Sequence, residues 1–218
     1  MTDESKRSDE DEAAGAGGAG APHRADGTGL RRRLIDAGVE LVAEKGARGV
    51  SLREIARHAG VSHGAPRRYF PTHLSLLSAI AREGFGQLAA EAGRVLATTE
   101  GAPRAQLAAL ARTYLAFARD HRGMYELMFR HDLLESGGEL GLRETSLPLF
   151  DVLTDLVARA RRDTRRADAR VVAGALWANL HGIAQLGAWR SLHLATGAQE
   201  DDVLRAALDA HLGPEEPA

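Results

Sequence analysis

From Leu30 onward, apolar residues return every three or four positions, and this spacing constrains the fold more than any other feature of the chain. Leu34, Ile35, Gly38, Leu41 and Val42 form one helical stripe, which stops at Lys45-Gly46, a base followed by a residue suited to closing a helix. Leu74, Leu77, Ile80, Ala81 and Leu88 form another behind Pro71-Thr72, with Thr72 placed as its N-cap. Later stripes run through Leu107, Leu110, Tyr114, Leu115 and Phe117, then Met124, Leu127, Met128, Leu133 and Leu134, then Leu147, Phe150, Leu153, Leu156 and Val157. Pro148 stands near the start of the last of these or at a kink in it. One long helix is expected over residues 168–196 and a final one over 201–212. β-branched alternation bounded by turns is nearly absent. The expected fold class is all-α.

Composition removes several kinds of chemistry. With no cysteine among 218 residues, disulfide scaffolds, zinc ribbons and thiol catalysis are excluded. The nine histidines include no pair four residues apart, the spacing that puts two metal ligands on one helix face, so no metal is expected. GAGGAG near the amino terminus follows no strand and precedes no GK[ST], and no serine sits on a nucleophile elbow. No catalytic residue and no cofactor are expected. No uncharged apolar run approaches the roughly 18 residues of a membrane span, and the polar, acidic beginning is unlike a secretory signal. The expected location is the cytoplasm, with no membrane partner.

Residues 1–27 carry an acidic run at 9–12 and then AAGAGGAGAP, too small and too charged to offset the entropy of ordering. They are expected to form a disordered tail, either solvated without a role or competing with an anionic partner for the basic segment that follows. Residues 214–218 form a second short tail. The net charge of −2 is unevenly spread. Residues 30–80 hold nine bases against four acids, while residues 1–29 and 81–218 are both net acidic. Attraction between exposed charges decays within about 8 Å at physiological salt, so the local excess decides what this segment attracts.

Residues 51–70, SLREIARHAGVSHGAPRRYF, carry the functional argument. Ser51 and Glu54 have the spacing of a capping box, with Val50 and Ile55 at the flanking staple positions. Ala59-Gly60-Val61 supplies a tight turn, where glycine takes positive φ without penalty. A second helix is expected from Ser62 to Phe70. Leu52, Ile55, Ala56, Ala59 and Val61 lie inward, leaving Arg53, Arg57, His63, Arg67 and Arg68 outward. A short helix presenting bases and small residues from a compact support meets the needs of a major-groove reader. The same pattern also serves as a packing unit with a solvated basic face.

At these residues the chain resembles the TetR family of bacterial transcriptional regulators. The resemblance runs from about Thr28 to Leu88 through EKGARGVSLREIARHAGVS, HGAPRRYF and PTHLSLL. It implies a three-helix DNA-binding domain over residues 28–88 and a larger helical ligand-binding and dimerisation domain over 89–213. It implies a homodimer on palindromic double-stranded operator DNA, usually repressing, and released by a small-molecule effector. Carried across by position, Ser51 meets a phosphate and Arg53 lies at the groove edge. Ser62, His63, Gly64 and Ala65 open the recognition helix, and Arg67, Arg68 and Tyr69 follow on it. Family members commonly have tyrosine at the position of Arg67 and lysine at that of His73. Arginine still grips phosphate, whereas imidazole is mostly neutral near pH 7 and weakens the phosphate contact at His73. Pro66 removes an amide within the first turn of that helix. These departures leave room for an alternative, a helical sensor or protein-interaction module with weakened DNA binding.

The C-terminal part resembles a family subgroup with a Trp…His-Gly signature, here Trp177-Ala-Asn-Leu-His181-Gly182. Trp177 and His181 share a helix face, either beside a ligand or as packed core. Tyr114, Met124, Tyr125, Met128, Phe150, Trp177, His181 and Gln185 are the expected lining of an apolar pocket. The helix over 168–196 is apolar around much of its circumference, which suits burial by its own domain and by a second copy together.

Overall fold

The computed structural model describes residues 22–130, 132–133, 141–161 and 168–214, with side chains from residue 28 onward. Among these residues there are nine α-helices and no strand: α1 Pro22–Lys45, α2 Leu52–His58, α3 His73–Thr98, α4 Pro103–Asp120, α5 Arg122–Met128, α6 Leu142–Ala160, α7 Ala169–Ala188, α8 Ser191–Thr196 and α9 Glu200–Leu212. Two 3₁₀ turns, Ala47–Gly49 and Ala65–Arg68, complete the set. The chain is all-α. The expected tail over residues 1–27 lies mostly outside the described residues, but helical backbone already begins at Pro22.

Local chemistry accounts for the element ends. Gly46 takes φ 72° behind α1 and accepts the role of a left-handed stop. Thr72 accepts from the Ser75 amide at 3.0 Å, and the Ser75 hydroxyl accepts from the Thr72 amide at 3.2 Å, a reciprocal cap for α3. Pro148 stands inside α6, not at its start. The helix expected over 168–196 is divided. Arg190 takes φ 59°, its amide bonds the Gly187 carbonyl at 2.9 Å, and the chain turns into α8 before Gly197, at φ 67°, turns it again toward α9. The longest described helix is therefore α3.

Two apolar cores are stacked along the molecule. The first gathers Leu34, Ile35, Leu41 and Val42 of α1, Ile55 of α2, Leu76, Leu77, Ile80 and Phe85 of α3, and Met124, Leu127 and Met128 of α5. The second joins Leu107, Ala111 and Leu115 of α4 with Leu153, Leu156 and Val157 of α6, Leu176, Leu180 and Ile183 of α7, and Leu204 and Leu208 of α9. Helix α3 runs unbroken past residue 88, and the first core takes in α5, so the N-terminal and C-terminal parts share packing. Two glycines make that contact possible. A Cβ on Gly123 would lie 2.3 Å from the Val42 carbonyl oxygen of α1, and one on Gly84 would lie 2.7 Å from the side chains of Met124 and Met128. At the far end, Arg104 of α4 ties down the carboxyl end of α9 through Asp209 and the Gly213 carbonyl.

Candidate functional site: a basic helix–turn–helix face and an apolar cavity

Helix α2 begins at Ser51, whose hydroxyl accepts from the Glu54 amide at 3.2 Å. The Glu54 carboxylate lies back over the cap, 3.2 Å from Lys45 Nζ and 3.3 Å from the Ser51 hydroxyl. The Lys45 hydrogen bond, with Ser51 behind it, holds that carboxyl below the usual glutamate range. At the other end, the Gly60 amide bonds the Arg57 carbonyl at 3.1 Å and the Val61 amide bonds the Ala56 carbonyl at 2.9 Å, with Gly60 at φ 67°. This is a complete Schellman closure, and Arg33 Nη2 of α1 donates to the next free carbonyl, Ala59, at 2.7 Å. Both ends of a seven-residue helix are thus satisfied by neighbours.

The segment that follows differs from the helix expected over residues 62–70. Only Ala65–Arg68 is helical, and it is a 3₁₀ turn. The reason is Pro66. In an α-helix begun at Ser62, the Ser62 carbonyl would take the amide of residue 66, which proline lacks. That carbonyl instead takes the Ala65 amide at 3.0 Å, one residue tighter. Pro66 is buried and Phe70 is 2% exposed beneath the Arg31 guanidinium, so the turn is anchored at both its start and its end.

The basic residues around this motif divide into two sets. Those of α1, with Lys45, are engaged within the fold: Arg31 lies over Phe70, Arg32 pairs with Asp36 and Glu83, Arg33 donates to Ala59, and Lys45 pairs with Glu54. Arg53, Arg57, Arg67 and Arg68 are exposed and have no ion-pair partner among the described residues. Ser51, Ser62, His63, Gly64 and His73 are also exposed, while Ala65 and Tyr69 are half-buried. Arg53 and Arg57 of α2 and Arg67 and Arg68 of the 3₁₀ turn are thus exposed and free of acid partners among the described residues.

The cavity lies between α3, α4, α6 and α7 and has a volume of about 500 Å³. Leu88, Leu107, Leu110, Leu147, Leu149 and Leu153 supply aliphatic wall, and Phe85, Tyr114, Phe129, Phe150 and Trp177 supply aromatic wall. Of the eight residues expected to line a pocket, Tyr114, Phe150 and Trp177 do so. Tyr125 and His181 stand one layer behind. The Tyr125 hydroxyl is 2.6 Å from His181 Nδ1, and the Tyr114 hydroxyl is 3.0 Å from the same nitrogen and 2.9 Å from Tyr125. Burial pushes the Tyr114 hydroxyl well above the usual phenol range and the Tyr125 hydroxyl up to about 12, and burial lowers His181. All three groups are thus neutral near pH 7. The arrangement that satisfies them has Tyr125 donating to Nδ1 and Tyr114 donating to the Tyr125 oxygen.

Met124 and Met128 depart from the expected lining: both are buried in the first core against Gly84. Gln185 lies farther along α7, half-buried and away from the cavity wall. Among the wall residues that were not anticipated, two bear on the chemistry. Phe129 is the hub of the aromatic cluster, with ring centroids 5.0 Å from Tyr125, 5.0 Å from His181 and 5.9 Å from Trp177. Its position four residues after Tyr125 was the available signal. Arg170, the one charged side chain among the described wall residues, falls on the α7 stripe of Gly174, Trp177 and His181. Among the described residues, no three histidine or carboxylate side chains gather as a metal centre would require, and no helix is long and apolar enough to cross a membrane.

Two family models match this chain. Residues 34–80 match the model described as bacterial regulatory proteins, tetR family, and residues 107–211 match the tetracyclin repressor-like C-terminal domain. The chain belongs to the TetR family. The second matched segment carries the buried residues of the second core, while the first core draws on both segments, and this TetR-family chain is a member of a group of transcriptional regulators. The chain is 38% identical over 81 residues to the HTH-type transcriptional regulator BetI of Pectobacterium carotovorum subsp. carotovorum (strain PC1), a match covering 37% of this chain and 42% of that relative. The chain thus covers less than half the length of the curated relatives it matches. A solved protein of unknown function from Rhodococcus sp. RHA1 is 33% identical, with a TM-score of 0.67 over 84% of this chain and 93% of that one. The transcriptional regulator FadR from Bacillus subtilis, solved in complex with stearoyl-CoA, shares the fold at 15% identity, with a TM-score of 0.61 over 84% of this chain and 99% of that one.

Proposed function

We propose that this TetR-family regulator binds a palindromic double-stranded DNA operator as a homodimer, represses from it, and is released by a small, largely apolar molecule. In this reading residues 28–88 read DNA and residues 89–213 hold the effector and the second copy. The observation that carries it is the division of the basic residues. Arginines that served only the fold would be paired, as those of α1 are, yet Arg53, Arg57, Arg67 and Arg68 stand exposed and acid-free on the helix–turn–helix surface. Phosphate oxygens are the natural complement of such a face. Ser62, His63 and Gly64 lead into the 3₁₀ turn that Ala65 opens, where small side chains let the backbone approach base edges.

Dimerisation is supported by the outer face of α7. Val171, Ala175, Ala178, Gly182, Leu186 and Trp189 follow one stripe, with Val171 66% and Trp189 62% exposed. Small residues at its centre allow close approach of a partner helix. Two recognition elements must stand roughly 34–36 Å apart to enter successive major grooves. An effector that favours another spacing weakens binding by its preference between the two states, typically about 1–3 kcal/mol. The FadR complex with stearoyl-CoA is consistent with an apolar effector in this fold.

The test is selection of genomic fragments by the purified full chain, followed by footprinting near physiological salt. A discrete, pseudo-palindromic protected site is expected. Diffuse, salt-sensitive association that persists after refolding from denaturant to strip ligand would overturn the DNA-reading assignment.

A further inference from the structure

The cavity wall is largely apolar, with hydroxyls only at Tyr114 and Ser146 among the described residues, and its one charged side chain, at the α7 end, defines a ligand class. Arg170 projects there from the start of α7 with its guanidinium carbon 5.0 Å above the Phe150 ring and Nη1 2.7 Å from Asp151 Oδ1. Its side chain is about half exposed, 52%, so the cation stands at the mouth and not in the interior. A guanidinium has five N–H donors in a planar fork, and the Asp151 bond uses one of them. Phe150 and Asp151 therefore fix the plane of the group while leaving donors over to grip an anion at the entrance. Beyond the mouth, Leu110, Leu147, Leu153 and Trp177 offer no partner for a second charge, and the Tyr114 hydroxyl is already engaged with Tyr125 and His181. At the roughly 30 Å³ a water-sized heavy atom occupies in a liquid, about 500 Å³ holds about 17 non-hydrogen atoms.

We infer that the cavity takes an amphiphilic monocarboxylate, its carboxylate on Arg170 at the mouth and a chain of about a dozen carbons in the interior. This rests on the reading of the cavity as the effector site and adds the chemical class of the effector. A dianionic molecule finds no second cation among the described wall residues, where the Ser146 hydroxyl is a neutral polar group. A neutral chain fills the interior but leaves the Arg170 donors to water.

The experiment is calorimetric titration of the full chain with dodecanoate and with dodecanol, probes alike except for the head group. It contains no DNA, so it is independent of whether an operator is found. Dodecanoate is expected to bind about tenfold more tightly than dodecanol, the usual scale of a charge-assisted hydrogen bond. Arg170→Gln is expected to erase that preference without changing dodecanol affinity, and Arg170→Lys to retain part of it. Gly174→Leu, whose side chain enters the cavity where a Cβ meets nothing nearer than Phe150 at 3.9 Å, is expected to weaken both probes while leaving the helical circular dichroism unchanged. Equal affinities in the native chain, or a preference that survives Arg170→Gln, would overturn the carboxylate assignment. Absence of binding by both probes, or binding indifferent to Gly174→Leu, would overturn the cavity as their site.

Discussion

At the scale of single residues, two side chains connect the electrostatics to measurements. Arg67 is exposed and without an acid partner among the described residues, and the proposed function gives it a phosphate contact. Arg67→Ala is expected to weaken binding about equally for all DNA sequences and to reduce the slope of log affinity against log salt by about one unit; electrophoretic mobility shifts across a salt series read both. An unchanged slope would remove Arg67 from the phosphate contacts. His181 tests the inner layer of the cavity. Burial lowers its basicity in the folded chain, so as pH falls through about 6.5 the unfolded chain takes up the proton first. The stability it contributes is complete above that range and is lost on acidification. His211 of α9 is shifted the same way by burial and adds to the effect. The fall in melting temperature between about pH 7.5 and about pH 5.5 is expected to be smaller in His181→Gln than in the native chain. An equal fall would place the acid sensitivity elsewhere.

At the scale of elements, close approach between helices depends on two positions with opposite consequences. Gly123 opens α5 against the α1 backbone, and an added Cβ would meet Val42 O at 2.3 Å. Gly123→Ala is expected to cost about 1–3 kcal/mol in urea unfolding, because neither backbone can yield without moving its helix. Gly86 sits exposed inside α3 with nothing near its missing side chain, and Gly86→Ala is expected to add about 0.5–1 kcal/mol. If both alanines acted alike, helix propensity and not packing would explain the result. The 3₁₀ turn at Ala65–Arg68 belongs to this scale too. Its tightness follows from one missing amide at Pro66, so its length was open to reading from the sequence, whereas its anchoring by the buried Pro66 and by Phe70 beneath Arg31 was not.

At the scale of the whole molecule, α7 serves three neighbours. Ala173, Leu176, Leu180 and Ile183 face the second core, Gly174, Trp177 and Ala178 line the cavity, and Val171, Ala175 and Leu186, with Trp189 just past the helix end, are exposed. A helix apolar on every side is expected when a second copy covers its outer face. Ala175→Arg, placing a charge at the centre of that face, is expected to shift sedimentation from dimer to monomer at micromolar concentration and to weaken operator binding with it. A native chain that sediments only as monomer would overturn the dimer.

The all-α class, the caps at Ser51 and Thr72, the glycine stops at Gly46 and Gly60, and the outward arginines were all legible in the sequence, because each depends on residues within a few positions of one another. The break at Arg190 was not, since a left-handed arginine carries no local mark. Nor was the sorting of the aromatic residues. Met124 and Tyr125 are neighbours on one short helix and both belong to the first core, yet Tyr125 also carries its hydroxyl to His181, 56 residues away. Periodicity states that a face is buried but not what it meets. The charge of Arg170 was plain in the sequence, but only the packing of α6 against α7 set it above Phe150 at the mouth of an apolar cavity, because that position depends on contacts between helices distant in the chain.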